Sequence, residues 1–173
     1  MKLFAVIIMV ALSMNFSKVH GQSVCIADSL HGLASKLFLI NRDERTALQL
    51  EEYAFQLIKG NEPMDSIKYY NSIKSLAEYY HQCSDSANDI YSNNAVRYYT
   101  EALDYCKRHW GRNHMDYRFM QSELGYIKLK TNLEEGKELI SSALAKIDRI
   151  EFPKEYAISL LNYSWYLYYC DRI

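Results

Sequence analysis

Residues 95–114 read AVRYYTEALDYCKRHWGRNH. Ala95 and Ala102 stand seven apart, close to two helical turns, so both lie on one helix face and let a neighbouring helix approach closely. Tyr98, Tyr99 and Leu103 recur at helical spacing and fill the space that the small residues open. Lys107, Arg108 and His109 follow where a helix C-terminus favours positive charge, and Gly111 suits the left-handed residue that ends a helix. The same small pair returns as Ala47 with Ala54 and as Gly136 with Ala143. A second small-residue series, Ala34, Ala77, Gly125 and Ser164, runs between them with steps of 43, 48 and 39 residues. Two interleaved series imply a two-helix unit recurring about every 43 residues.

Breakers fall where one unit hands over to the next: Gly60 with Pro63, Gly111 with Asn113, and Pro153. Asn113 followed by Asp116 fits an N-cap with an acid in the first turn. The spacing predicts helices over 25–41, 43–59, 64–82, 93–109, 115–131, 134–149 and 154–171. Composition agrees with an all-α reading. The 173 residues are 49% hydrophobic and 24% charged, which excludes disorder, and six Gly with two Pro are too few for the turns of an all-β chain. Sixteen Tyr supply large contact area with a polar end, suited to packed helices and recognition surfaces.

The stretch Tyr98–His114, followed by LGYIKL over Leu124–Leu129, resembles the tetratricopeptide repeat (TPR), in the long form found in kinesin light chains and in many bacterial repeat proteins. That family carries Ala-Leu late in its second helix, then Gly, two residues and His-Pro. Ala102-Leu103, Gly111 and His114 match it, with Met115 where Pro is usual. The resemblance covers about residue 26 to 173 and implies an α-solenoid of antiparallel helix pairs, about three and a half repeats. An unrelated helical bundle is the competing architecture.

Two segments depart from the pattern. The connection from Cys83 to Asn94 is longer than the others and reads as a surface loop or an extra helical turn. The last helix carries Leu160, Leu161, Tyr163, Trp165, Tyr166, Leu167, Tyr168 and Tyr169 and is apolar nearly all round, where a solenoid would present a polar outer face. Either another surface covers it, for example a second copy, or the chain is the front of a longer repeat protein.

At the N-terminus, Met1-Lys2 precedes the apolar run Leu3–Leu12, which has the length of an export-signal core rather than a membrane span. Val19-His20-Gly21 suggests cleavage before Gln22, giving a signal at 1–21, a repeat domain at 22–173, and a periplasmic or secreted product with no membrane span. Gln22-Ser23-Val24 lacks the small residue that precedes a lipidated Cys, which argues against anchoring at Cys25. Residues 22–173 hold 18 basic and 21 acidic side chains, without the dense basic face that nucleic acid needs.

No Gly-rich phosphate loop, HExxH, GxSxG or CxxC is present, so the expectation is a non-enzymatic protein without cofactor or metal. Cys106, His109 and His114 raise a zinc reading, but a helix end followed by the inter-repeat turn accounts for them. Asp85 and Asp89 raise a calcium reading, but lack the further oxygen ligands and final Glu. The repeat geometry keeps Cys83 and Cys106 about 20 Å apart at opposite helix ends. It leaves Cys25 with Cys106 as the only feasible disulfide; free thiols are expected.

Partner binding in a helix-pair stack belongs to the inner surface, lined by the first helix of each pair. Counting from the small packing residues places Asn71, Lys74 and Glu78 there, then Ser122, Tyr126 and Lys130, then Leu161, Trp165 and Tyr168, grading from polar to aromatic. Tyr126 and Trp165 are expected as apolar anchors and Lys74 and Lys130 as polar clamps for a protein or peptide. Glu78 stands where the chaperone-binding members would have an Asn, which disfavours that use. The alternative is a sensory or regulatory segment of a larger membrane-associated signalling or protease system.

Overall fold

The computed structural model describes residues 20–60, 66–84 and 89–171. Among these, every regular element is a helix: α1 (His20–Lys36, closing in a π turn over Leu37–Asn41), α2 (Glu44–Lys59), α3 (Ser66–Gln82), α4 (Ile90–His109), α5 (Met115–Lys128), α6 (Leu133–Leu144) and α7 (Pro153–Cys170). None is long and apolar enough to cross a membrane. The expected signal segment lies outside the described residues apart from His20 and Gly21, which open α1; Pro63 and Asp85 lie outside them as well.

The helix ends follow from local chemistry. Asp43 caps α2 by accepting from the Thr46 N–H, and Asn132 caps α6 by accepting from that of Glu135. Asp89 does the same for α4 through Ser92 N–H, so the long connection after Cys83 yields its last residues to an extra turn of α4. Gly111 takes φ 82°, and its N–H reaches the Cys106 carbonyl at 2.9 Å, closing α4 as the sequence implied. Gly60 instead stays right-handed, at φ −78°. At α5 the cap is His114, whose Nδ1 accepts from Asp116 N–H at 3.3 Å. Asn113, expected there, accepts from Arg118 Nη2.

Each helix packs on its successor in the chain, and α5 also packs on α7. All three small pairs, Ala47/Ala54, Ala95/Ala102 and Gly136/Ala143, are buried at these contacts, as are Ala34, Ala77 and Gly125. Ser164 is exposed, and in α7 the covered small and polar residues are Ser159 and Asn162.

Tyrosines supply much of the core: Tyr70, Tyr79, Tyr80, Tyr98, Tyr99 and Tyr105 are all buried. Their rings stack across helix boundaries, Tyr80 on Tyr98 at 5.6 Å and Tyr70 on Tyr105 at 5.4 Å. Hydroxyls donate to glutamates of adjacent helices, Tyr69 to Glu101, Tyr80 to Glu52 and Tyr99 to Glu123. Such pairs let large amphipathic rings be covered without stranding their polar ends. Glu51 is wholly buried, and accepts from Ser72 Oγ and pairs with His31 Nδ1 at 2.8 Å.

Candidate functional site

The odd-numbered helices form a row. α1 meets α3 through Lys68–Asp28 at 2.6 Å and the Phe38–Tyr79 ring contact at 4.4 Å. α3 meets α5 through Lys74–Asp116 at 3.8 Å and the His81–Tyr126 rings at 5.3 Å. α5 meets α7 where Asn162 Nδ2 donates to Ser122 Oγ at 3.2 Å and to Glu123 Oε1 at 2.9 Å, and where Tyr126 faces Trp165 at 6.4 Å. Along each boundary the contacts advance in the same order on both helices, so the row runs parallel. N-terminal ends gather on one side and C-terminal ends on the other.

Four of the five predicted binding residues fall on this row, and Lys130, expected on α5, lies in the turn that follows it; the five form two groups. Toward the N-terminal side, Lys74 is half-buried, with Nζ held between Asp116 and the face of the Phe119 ring, 5.6 Å from its centroid. Glu78, one turn on, is open to solvent but surrounded by protein. Partial loss of hydration raises its carboxyl pKa, with Lys74 and Lys154 opposing. At the C-terminal side stand Tyr126, Lys130 and Trp165. Trp165 is 39% exposed and packs on Tyr168 and Tyr169. Lys130 is exposed, and its charge adds to burial in lowering His81 to about 4, so the ring against Tyr126 is neutral.

Ser122 does not join this surface: it is wholly covered by α7.

Between the groups lies polar machinery that residue types alone did not reveal. Glu123 is half-buried beside Asn162 and Tyr99; desolvation raises its carboxyl pKa, and the charge of Glu78 adds to the shift. A cleft of about 490 Å³ opens at the N-terminal side, with Phe119 and Phe152 as apolar walls and Lys74, Asp116, Glu151 and Glu155 around them. The turn before α7 shapes it. Asp148 accepts from the N–H groups of Ile150 and Glu151 at 2.8 and 3.1 Å, which depresses its own pKa and sets Glu151 and Phe152 at the rim. Phe119 lies one turn before Ser122 and three residues after Asp116, a helical spacing that could have marked it.

No protein-family model, no curated protein and no solved structure matches this chain.

The residues singled out for metal chemistry have other roles. His109 stacks on Tyr105 at 4.2 Å, and the His114 ring lies tilted against Trp110 at 4.8 Å. Among the described residues no group of three or more His, Cys, Asp or Glu could hold a metal ion. No disulfide joins the four cysteines, and Cys106 is buried with its thiol pushed up to about 11, chiefly by desolvation, which makes it a poor nucleophile.

Proposed function

We propose that the protein is an exported, non-enzymatic scaffold of stacked helix pairs in the manner of a TPR solenoid, and that it binds an extended peptide segment of a partner protein along the row α3, α5 and α7. The observation that carries this reading is the cleft between Lys74, Phe119 and Phe152, with the Tyr126–Trp165 aromatic pair farther along the same helices. Contacts between alternate helices join residues about forty positions apart, such as Asp28 with Lys68 and Ser122 with Asn162, which supports the stacked-pair arrangement.

The charge around the cleft favours one kind of segment. Asp116, Glu151 and Glu155 outnumber Lys74, whose charge is already directed at Asp116. A Lys or Arg side chain entering over Phe119 and Phe152 would meet carboxylates at its head and aromatic faces along its stem. An apolar residue about three positions along the same extended segment would reach Tyr126 and Trp165, because Phe119 and Tyr126 stand seven residues, about 10 Å, apart on α5. Two anchors spaced along the same helices suit an extended chain.

An array of short immobilised peptides probed with the purified protein tests this. Retained peptides should be enriched in Lys or Arg with an apolar residue about three positions away, and Phe119→Ala should weaken them on the order of tenfold. Retention indifferent to peptide charge, or unchanged in Phe119→Ala, would remove the reading.

A further inference from the structure

α7 turns to solvent a line of residues separated alternately by three and four positions: Lys154, Ala157, Leu161, Ser164, Tyr168 and Asp171, every one exposed. This is the seam spacing of a two-helix coiled coil. Leu160 and Leu167, 48% and 50% exposed, flank it, and no charged side chain interrupts it between Glu155 and Asp171. The seam contains a small pair seven residues apart, Ala157 and Ser164. Elsewhere in this chain that spacing marks a face on which another helix rests: Ala47/Ala54, Ala95/Ala102 and Gly136/Ala143 are all covered. The Ser164 hydroxyl donates to the Leu161 carbonyl of its own helix at 2.7 Å, so it can be covered without forfeiting its hydrogen bond.

We propose that this seam is the contact between two copies of the chain, with their α7 helices antiparallel about a twofold axis that passes between Asn162 and Tyr163. The axis sets Lys154 against Asp171 of the second copy, Ala157 against Tyr168, and Leu161 against Ser164. Each large side chain then faces a small one, and the cation at one end meets the carboxylate at the other. The twofold repeats every pairing, so the surface is complementary to itself. A parallel pair would instead oppose Tyr168 to Tyr168, Lys154 to Lys154 and Asp171 to Asp171, and would align rather than oppose the helix dipoles. The self-complementarity singles out a second copy as the occupant. Trp165 stands beside the seam on the side of Tyr126, and the pairing does not depend on the peptide-binding role.

Sedimentation of the purified protein over a range of concentrations tests it. The expected result is a reversible monomer–dimer equilibrium. Leu161→Asp should weaken it by on the order of tenfold or more with the helical circular dichroism unchanged. Lys154→Asp should weaken it as well, and the exchange Lys154→Asp with Asp171→Lys should restore it. The dichroism reports the fold of each variant, and the charge exchange provides a readout that mere loss of packing would not give. A monomer up to roughly several hundred micromolar would overturn the proposal and leave the face to a different partner. A dimer insensitive to Leu161→Asp, or one the charge exchange does not rescue, would overturn it equally.

Discussion

Gly125 and Gly136 bring α5 and α6 together at backbone distance. A Cβ added at Gly125 would lie 2.7 Å from Ile140 Cγ1 and 2.9 Å from the Gly136 carbonyl oxygen, and one at Gly136 would lie 2.8 Å from the Gly125 carbonyl oxygen. Backbone cannot yield as the end of a side chain can. Gly125→Ala and Gly136→Ala should each cost about 1–3 kcal/mol of overpacking, which outweighs the gain of about 1 kcal/mol in helix propensity. Gly32, in α1, has nothing within 4 Å of its added Cβ, and Gly32→Ala should stabilise by about 0.5–1 kcal/mol. Urea unfolding of the three variants checks the opposite signs.

His31 and His81 carry opposite pH signatures. The hydrogen bond that His31 Nδ1 donates to the Glu51 carboxylate raises the pKa of His31, so the stability this pair supplies is full below about pH 6.5 and is lost as pH rises through the folded value. Burial, with Lys130, lowers His81 to about 4; the folded state holds it neutral, and its contribution is lost as pH falls from about 6.5 toward 4. Denaturation midpoints across pH should show His31→Gln flattening the alkaline decline and His81→Gln the acid one. An alkaline slope unchanged in His31→Gln would contradict the Glu51 pairing.

Asn162 fastens α7 to α5 through Ser122 and Glu123. Asn162→Ala removes the donor and leaves a half-buried carboxylate short of a partner, and it should cost about 1–3 kcal/mol. Ser164→Ala, on the exposed face, should stay within about 0.5 kcal/mol. Thermal unfolding of both distinguishes the residue that packs from the one that small-residue spacing alone suggested.

That contrast marks how far the sequence carries. Apolar periodicity and the small pairs located the helices and most of their packing faces, because burial of Ala and Gly at close helix contacts depends on local spacing. Gly111 announced its own turn for the same reason. Asn162, Glu123 and Glu51 stayed hidden because a polar residue in a helix reads as exposed until its partners, some twenty to forty positions away, are known. Lys74 and Glu78 were placed on one face by helical counting, whereas the cleft beside Lys74 depends on Phe152 and Glu155, which only the packing of α7 brings there. Ser122 shows the opposite error: counting placed it on the surface, and α7 covers it.

If the row α3, α5 and α7 is the binding face, nuclear magnetic resonance of the isotope-labelled protein titrated with an array-selected peptide will map the contact onto it. Saturable shifts are expected at Lys74, Glu78, Phe119, Tyr126 and Trp165, with α2, α4 and α6 silent except where they touch that row. Shifts confined to α2, α4 and α6, or none that saturate, would contradict it.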